Sequence, residues 1–424
     1  MNPNKITWRG LTVWLICAAF FMYEFLLRTV LGTFQYPIMD DLHLSPMKFA
    51  FLSSTAYQVI YGVMQLPVGI ITDRFGLKRT LFSAVLICGA ANIGFAFTHQ
   101  FDVAFFFRVL MGFGSAFGFV CLLVAVYDWM PRKNIALFIG LSQFIGTLGP
   151  MLAAGPLNGM AEENLVGWRG FFLSLAIVAV VLAVLILGFV ENKRETTGKF
   201  LILNRDPSIK DNLRRLIRQP EIWFIAFFSA TIYFSIEYLS ENEGTAFLME
   251  KGFTSTFSSY MITMAWLGYA IGCPLLGYLS DWFEQRKPVM IGSALTILLG
   301  LTGIIYFDLN RAATTLCFLM VGVGASGQSI GFAIIAENCK ERYLAVGLAF
   351  NNAMIMFCSA INAPLVGYLL SRLSSSGEGH SLQTYQEAFV ILIGLAGCAA
   401  LFSMFLIKET YCKSMRENTI LNPA

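Results

Sequence analysis

Twelve apolar stretches of about 20 residues run along this chain, near residues 11–32, 47–71, 79–98, 103–127, 135–158, 169–190, 221–243, 256–280, 288–307, 313–336, 344–370 and 386–407. A helix of that length crosses roughly 30 Å of hydrocarbon. Lipid offers no partner to an exposed N–H or C=O, so such segments must close their own backbone hydrogen bonds as helices. Composition agrees: 13% of residues are charged, against roughly a quarter in soluble domains, and the mean hydropathy is +0.67.

A second constraint is an internal repeat. The polar turn Gly69-Ile-Ile-Thr-Asp-Arg-Phe-Gly-Leu-Lys-Arg79 lies between the second and third stretches, and a weaker echo, Gly277-Tyr-Leu-Ser-Asp-Trp-Phe-Glu-Gln-Arg-Lys287, lies between the eighth and ninth. The two begin 208 residues apart. Stretch 4 carries Gly112, Gly114 and Gly118, and stretch 10 carries Gly322, Gly324, Gly327 and Gly331. Gly149-Pro150 and Gly155-Pro156 in stretch 5 have a looser match in Pro364 and Gly367 of stretch 11. Small residues at such spacing let helices approach closely in lipid. The expected fold class is an all-α polytopic membrane protein, with twelve transmembrane helices in two pseudo-symmetric six-helix halves. The expected domains are residues 1–190, a linker at 191–220, and residues 221–424. Within the linker, Ser208 reads as a helix start. Ile209, Leu213, Leu216 and Ile217 then share one face, with Lys210, Arg214, Arg215 and Arg218 around the rest, as in an interfacial amphipathic helix.

Lys and Arg favour the cytoplasmic side in short loops. With the N-terminus inside, 22 of the 29 fall in cytoplasmic segments, five in outer loops, and Arg28 and Arg108 within helices. Both termini are therefore expected in the cytoplasm. The nine cysteines lie in helices or on the inner side, which leaves no external disulfide framework. No cleavable leader is apparent in the first stretch. Short loops without an N-x-Ser/Thr site point to a bacterial inner membrane. The net charge of +3 follows from topology and gives no basic face for nucleic acid.

Ionisable groups inside a bilayer are costly and face the bundle interior or a pathway. Four stand out: Glu24, Arg28, Arg108 and Glu237. Glu24 and Arg28 share a helix face in the favourable i to i+4 order. At about 1.5 Å per residue, Glu24 lies about 4 Å beyond the midplane, Glu237 about 8 Å and both arginines about 10 Å, all toward the outside. Two guanidinium groups suit a carboxylate, and two carboxylates suit an ammonium or a proton. Tyr23, Gln143, Tyr233, Tyr238, Trp266, Gln328, Asn351 and Asn352 are candidates for a polar and aromatic lining. His43, His99 and His380 fall in outer loops, so the carboxylates are left as proton carriers.

Gly69, Asp73, Arg74, Gly76, Lys78 and Arg79 resemble the signature between helices 2 and 3 of the major facilitator superfamily, and Arg108 with Gly112 looks like its second motif. The resemblance implies a cavity lined by helices 1, 4, 7 and 10, and a cytoplasmic latch made by Asp73 and Arg74 with Asp128 at the end of helix 4. In the second copy Gly277 and Asp281 persist, but Trp282 and Glu284 replace the Arg and the Gly, so a less elaborate latch is expected there. The run Tyr23-Glu24-Phe25-Leu26-Leu27-Arg28 looks like the branch of phagosomal amino-acid transporters and lysosomal dipeptide carriers.

No phosphate loop, metal-ligand cluster or nucleophile constellation is present, so neither an enzyme nor an ATP-driven pump is expected, and no cofactor or metal. The expectation is a monomeric, proton-coupled secondary transporter of a small zwitterion such as an amino acid or peptide. The alternatives are a carrier of an organic anion or siderophore, and a receptor or scaffold that binds without carrying.

Overall fold

The computed structural model describes residues 6–130, 135–162, 167–191, 217–339, 344–374 and 380–412. Most of the amphipathic helix expected from Ser208 lies outside these residues. All twelve expected helices are present. Helix 1 is Trp8–Thr29, helix 2 is Pro46–Ala50 continued by a π-helical turn Phe51–Thr55 and Ala56–Phe75, and helix 3 is Leu77–Ala96. Helix 4 is broken into Phe101–Ser115 and Phe117–Trp129, and helices 5 and 6 are Ile135–Glu162 and Trp168–Phe189. Helices 7, 8 and 9 are Pro220–Glu241, Ser255–Trp282 and Lys287–Tyr306. Helix 10 is broken into Arg311–Ala325 and Gln328–Asn338, helix 11 is Leu344–Leu373, and helix 12 is Leu382–Ala388, Val390–Leu401 and a π-helical Phe402–Leu406. Short helices Gln35–Asp41 and Gly244–Glu250 follow helices 1 and 7. Ten of the helices among the described residues are long and apolar enough to cross a membrane.

Local chemistry sets several boundaries. Side chains of Thr7, Thr254, Asn310 and Ser381 accept backbone N–H bonds at the starts of helices 1, 8, 10 and 12, satisfying donors that a helix start leaves unpaired.

The chain divides into two compact units, Met1–Ile202 and Leu203–Ala424. Each repeats one packing plan. In the first, helix 1 packs on 5, helix 2 on 4, and helix 3 on 4 and 6; in the second, helix 7 packs on 11, helix 8 on 10, and helix 9 on 10 and 12. Glycines enforce the shared contact. A Cβ on Gly112 would lie 2.4 Å from the Tyr57 carbonyl oxygen, and one on Gly322 would lie 1.8 Å from that of Ala265. Backbone-on-backbone packing of this kind excludes every other residue.

The two repeat turns differ more than their sequences imply. Gly76 adopts φ 81, ψ 158 between helices 2 and 3, a region essentially limited to glycine. Glu284 stands in the corresponding place with φ 53. Its N–H bonds the Asp281 carbonyl while Gln285 N–H bonds that of Ser280, a Schellman ending whose left-handed residue is ordinarily glycine. Gly277 has open space around its Cβ position, so the second copy's first glycine serves no close contact.

Candidate functional site

In the first unit, Glu24 is 2% exposed and faces helix 2. Tyr57 donates its hydroxyl to the Glu24 carbonyl (3.0 Å) and to Oε2 (3.2 Å), and Tyr61, one turn on, donates to Oε1 (3.4 Å). The Arg28 charge acts on Glu24 electrostatically, and its guanidinium lies 4.2 Å from the Phe25 ring centroid. Gly118 of helix 4 gives the Glu24 side chain its room, since a Cβ there would lie 2.9 Å from Glu24 Cγ.

Arg108 reaches three backbone carbonyls of helices 1 and 2. Nη1 donates to the Leu27 carbonyl at 2.7 Å, and Nη2 donates to the carbonyls of Arg28 at 2.7 Å and Ser53 at 3.0 Å. Its guanidinium also lies 4.4 Å from the Tyr57 ring centroid. Leu27 and Arg28 belong to the last turn of helix 1, whose carbonyls lack helical partners. Ser53 lies in the π turn of helix 2, where the hydrogen-bond ladder shifts register. One planar, five-donor group thus collects acceptors that two irregular helix segments leave over. Tyr23 likewise belongs to the frame: it accepts from Asn92 Nδ2 (2.6 Å) and donates to the Leu175 carbonyl (3.2 Å), tying helix 1 to helices 3 and 6. Gln143 is half-buried on helix 5.

In the second unit, Glu237 is 1% exposed and accepts a hydrogen bond from Ser359 of helix 11. Tyr233, Trp266 and Tyr269 make an edge-on aromatic triad with centroids 5.7 to 6.3 Å apart. Tyr269 donates to Gln328 Oε1 at 3.0 Å, and Trp266 Nε1 to Ser240 Oγ at 2.9 Å. Asn351 is fully buried and Asn352 half-buried on helix 11, while Tyr238 packs between Phe234 and Phe389.

The turn of the second unit is richer in charge contacts than expected. Arg286 donates from Nη1 to Asp281 (2.6 Å) and to Ser280 Oγ (2.9 Å), and from Nε and Nη2 to Glu337 Oε1 (3.0 and 2.7 Å) at the end of helix 10. Burial opposes its charge, yet Glu337 and Asp281 outweigh that and hold its pKa above the usual value. Residues 408–412 lie across this network as a strap. Lys408 N–H bonds Glu221, Glu409 accepts from the N–H groups of Arg286 and Lys287, Thr410 donates to Glu337, and Cys412 donates to the Ser280 carbonyl. Around the first turn, Lys78 donates to the Leu187 carbonyl at 2.7 Å, Arg74 and Arg79 are exposed, and Gly69 and Asp128 are buried. The Asp73 side chain lies outside the described set.

Tyr57, Tyr61, Tyr269, Ser359, Arg286, Glu337 and the strap were absent from the sequence-based set. Some left signals. Tyr57 and Tyr61 share a helix face, and Arg286 sits at the repeat position of Lys78. Ser359 and the strap left none, because their partners are 73 or more residues away along the chain.

A sequence profile of the Major Facilitator Superfamily matches residues 15–249 and 244–419. The chain belongs to that superfamily. It is a multi-pass integral membrane transporter. Over 397 residues it is 24% identical to the hexuronate transporter of Bacillus subtilis (strain 168), covering 89% of this chain and 90% of that one. Over 408 residues it is 24% identical to the probable L-galactonate transporter of Escherichia coli (strain K12), covering 91% and 86%. Among solved structures it resembles a bacterial homolog of the human lysosomal transporter Spinster, with TM-score 0.74, 16% identity and coverage of 99% and 100%. It also resembles a D-xylose–proton symporter, with TM-score 0.75, 15% identity and coverage of 96% and 99%. The phagosomal and dipeptide branch does not appear among these, and the named relatives favour the organic-anion alternative over the zwitterion. Among the described residues, no group of three or more His, Cys, Asp or Glu is arranged to hold a metal.

Proposed function

We propose that this transporter is a proton-coupled carrier of an organic anion of the sugar-acid class, working by alternating access as a monomer. The observation that supports the class most is the pair of relatives named for hexuronate and L-galactonate, each aligned over about nine-tenths of the chain. Arg28, buried on helix 1 one turn from Glu24, is the residue assigned to the substrate carboxylate. Glu24 is the proton carrier beside it. A hydroxyl can donate to a carboxylate and accept from a carboxylic acid, so Tyr57 and Tyr61 serve Glu24 in both states. When Glu24 is ionised its charge attracts the Arg28 guanidinium, and when it takes a proton that attraction is lost. Asp73, Arg74 and Asp128 in one unit, and Asp281 with Arg286 and Glu337 in the other, would gate the end carrying the repeat turns.

The test is uptake into proteoliposomes of sugar acids and amino acids, with and without an inward pH gradient. Sugar acids should accumulate only with the gradient, and Arg28→Gln should abolish uptake. Glu24→Gln should keep counterflow and lose accumulation. Transport of zwitterionic amino acids with no competition from sugar acids would overturn the anion reading. Ligand binding with no counterflow would instead favour a receptor. Placement in a bacterial inner membrane with both termini cytoplasmic is part of the same proposal, and terminal reporter fusions test it.

A further inference from the structure

Within the first unit, the end away from the Gly76 turn is tied together by one side chain, Arg169, in the first turn of helix 6. Nη1 donates to Asp41 Oδ2, and Nη2 donates to the Thr98 carbonyl at 2.8 Å and meets His99 Nδ1 at 3.0 Å. Trp168 Nε1 gives Asp41 Oδ2 a second donor at 3.1 Å, and the guanidinium lies 4.0 Å from the Trp168 ring centroid. The acceptors come from separate connections: Asp41 ends the short helix Gln35–Asp41 after helix 1, while Thr98 and His99 lie between helices 3 and 4. An isolated ion pair at a surface contributes little, but Thr98 and Trp168 are buried and give this cluster a fixed base.

The segment held in this way leaves helix 1 just past Arg28. Thr33 Oγ1 donates to the Ala153 carbonyl of helix 5 at 2.6 Å, Phe34 packs on Phe171 of helix 6 with centroids 5.5 Å apart, and Asp41 moors the far end. His99 is the titratable arm of the cluster. A guanidinium only donates, so the Nδ1 that faces it must carry a lone pair, which fixes a neutral imidazole with its proton on Nε2. A second proton would turn Nδ1 into a donor and set an imidazolium 3.0 Å from a guanidinium nitrogen. Like charges at that distance repel, so the arm is closed with His99 neutral and open with it charged. Histidine changes charge between about pH 5 and 8, and His99 is exposed, so the proton reaches it from solvent. The charged groups around it are Arg169 in direct contact, Asp41 on the same guanidinium, and Asp102 in the first turn of helix 4. Lys48 of helix 2 lies 5.9 Å from the Phe101 ring centroid at the same end, and Asp40 and His43 flank Asp41 along the chain.

We propose that Asp41, Thr98, His99 and Arg169 form a pH-sensitive clasp on the connections at this end of the first unit, closed by neutral His99 and opened by its protonation. With His99 neutral, one guanidinium joins the connection after helix 1, the connection between helices 3 and 4, and the start of helix 6. With His99 charged, the connection between helices 3 and 4 is pushed from Arg169, and the short helix after helix 1 loses a brace. On the orientation proposed above, this end faces outside the cell, so acid there loosens the segment joined to the helix that carries Glu24 and Arg28. The clasp itself requires neither that orientation nor proton coupling.

The experiment is hydrogen exchange on the full chain in lipid nanodiscs at about pH 8 and about pH 5.5, toward the two ends of histidine's titration range. Wild type, His99→Gln and His99→Lys are compared at each pH, with intrinsic exchange rates corrected. In wild type, protection of residues 35–44 and 97–101 should fall by about three- to tenfold on acidification, the effect of losing one hydrogen bond. Glutamine offers a neutral acceptor at every pH, so His99→Gln should lose that step. Lysine is a permanent donor, so His99→Lys should be as open at the higher pH as wild type is in acid. An acid step that persists in His99→Gln overturns the clasp, as does a wild type with no step, or a His99→Lys variant protected like wild type at the higher pH. Because the readout is exchange and not uptake, a failed clasp leaves the proton-coupled anion reading standing, and failure of that reading in the uptake assay leaves the clasp intact.

Discussion

Arg108 lends itself to a quantitative test, because its two possible tasks lead to different measurements. A hydrogen bond to a charged group contributes about 1.5–3 kcal/mol, and Arg108 makes three to carbonyls that helices 1 and 2 leave unpaired. Lysine keeps the charge but offers a single ammonium that cannot span three acceptors set by a planar fork. Arg108→Lys should therefore orphan one or two buried carbonyls and destabilise the first unit by about 2–4 kcal/mol. Arg108→Ala should cost about 3–5 kcal/mol, as when one member of a buried charged network is removed. For a unit of this size the lysine variant should lower the melting temperature by roughly 5–15 °C. The assay is thermal unfolding of substrate-free protein in detergent at one fixed scan rate, since membrane proteins often unfold irreversibly. Substrate-free protein matters, because a group that only binds substrate contributes nothing there. A lysine variant that melts with wild type yet loses affinity for anions would refute the structural assignment and return Arg108 to the binding site.

Two further predictions concern the turns and the strap. Glu284→Gly should stabilise the second unit by about 0.5–1 kcal/mol, because a left-handed residue other than glycine costs about 1–2 kcal/mol and glycine returns part of that as entropy. Gly76→Ala should destabilise the first by about 1–3 kcal/mol; in chemical denaturation, a loss of stability in Glu284→Gly or none in Gly76→Ala would be the wrong result. At the strap, burial opposes the Glu409 charge, but the N–H groups of Arg286, Tyr411, Lys287 and Thr410 prevail and hold its pKa below the ordinary value. A depressed folded-state pKa means the stabilisation is complete above the unfolded value and fades as pH falls through the folded one. Hydrogen exchange at residues 408–412 should accordingly stay protected at neutral pH and open only under acid conditions below the usual carboxylate range, while Glu409→Gln should open it at every pH. Protection unchanged in that variant would remove Glu409 as the anchor.

Much of this protein follows from local physics alone. Apolar runs long enough to cross lipid can only be helices, so the twelve elements, their order and their repeat could be read directly from the chain. The superfamily followed from one polar turn, whose residues are contiguous. The intramembrane charges could likewise be named, because lipid penalises every one of them and few are present. Their tasks could not. Arg28 and Arg108 look alike in sequence, and only packing shows that Arg108 spends its donors on carbonyls freed by the end of helix 1 and the π turn of helix 2. Glu284 breaks the motif's glycine yet takes a left-handed backbone, since the Schellman bonds around it impose that conformation whatever the side chain. Asp281, Arg286, Glu337 and Glu409 come from three separate stretches of chain and meet only when helices 8, 9, 10 and 12 are bundled. Sequence by itself determined which groups must be buried in a membrane, a matter of solvation; tertiary structure decided which partner each one meets, a matter of distances between residues far apart along the chain.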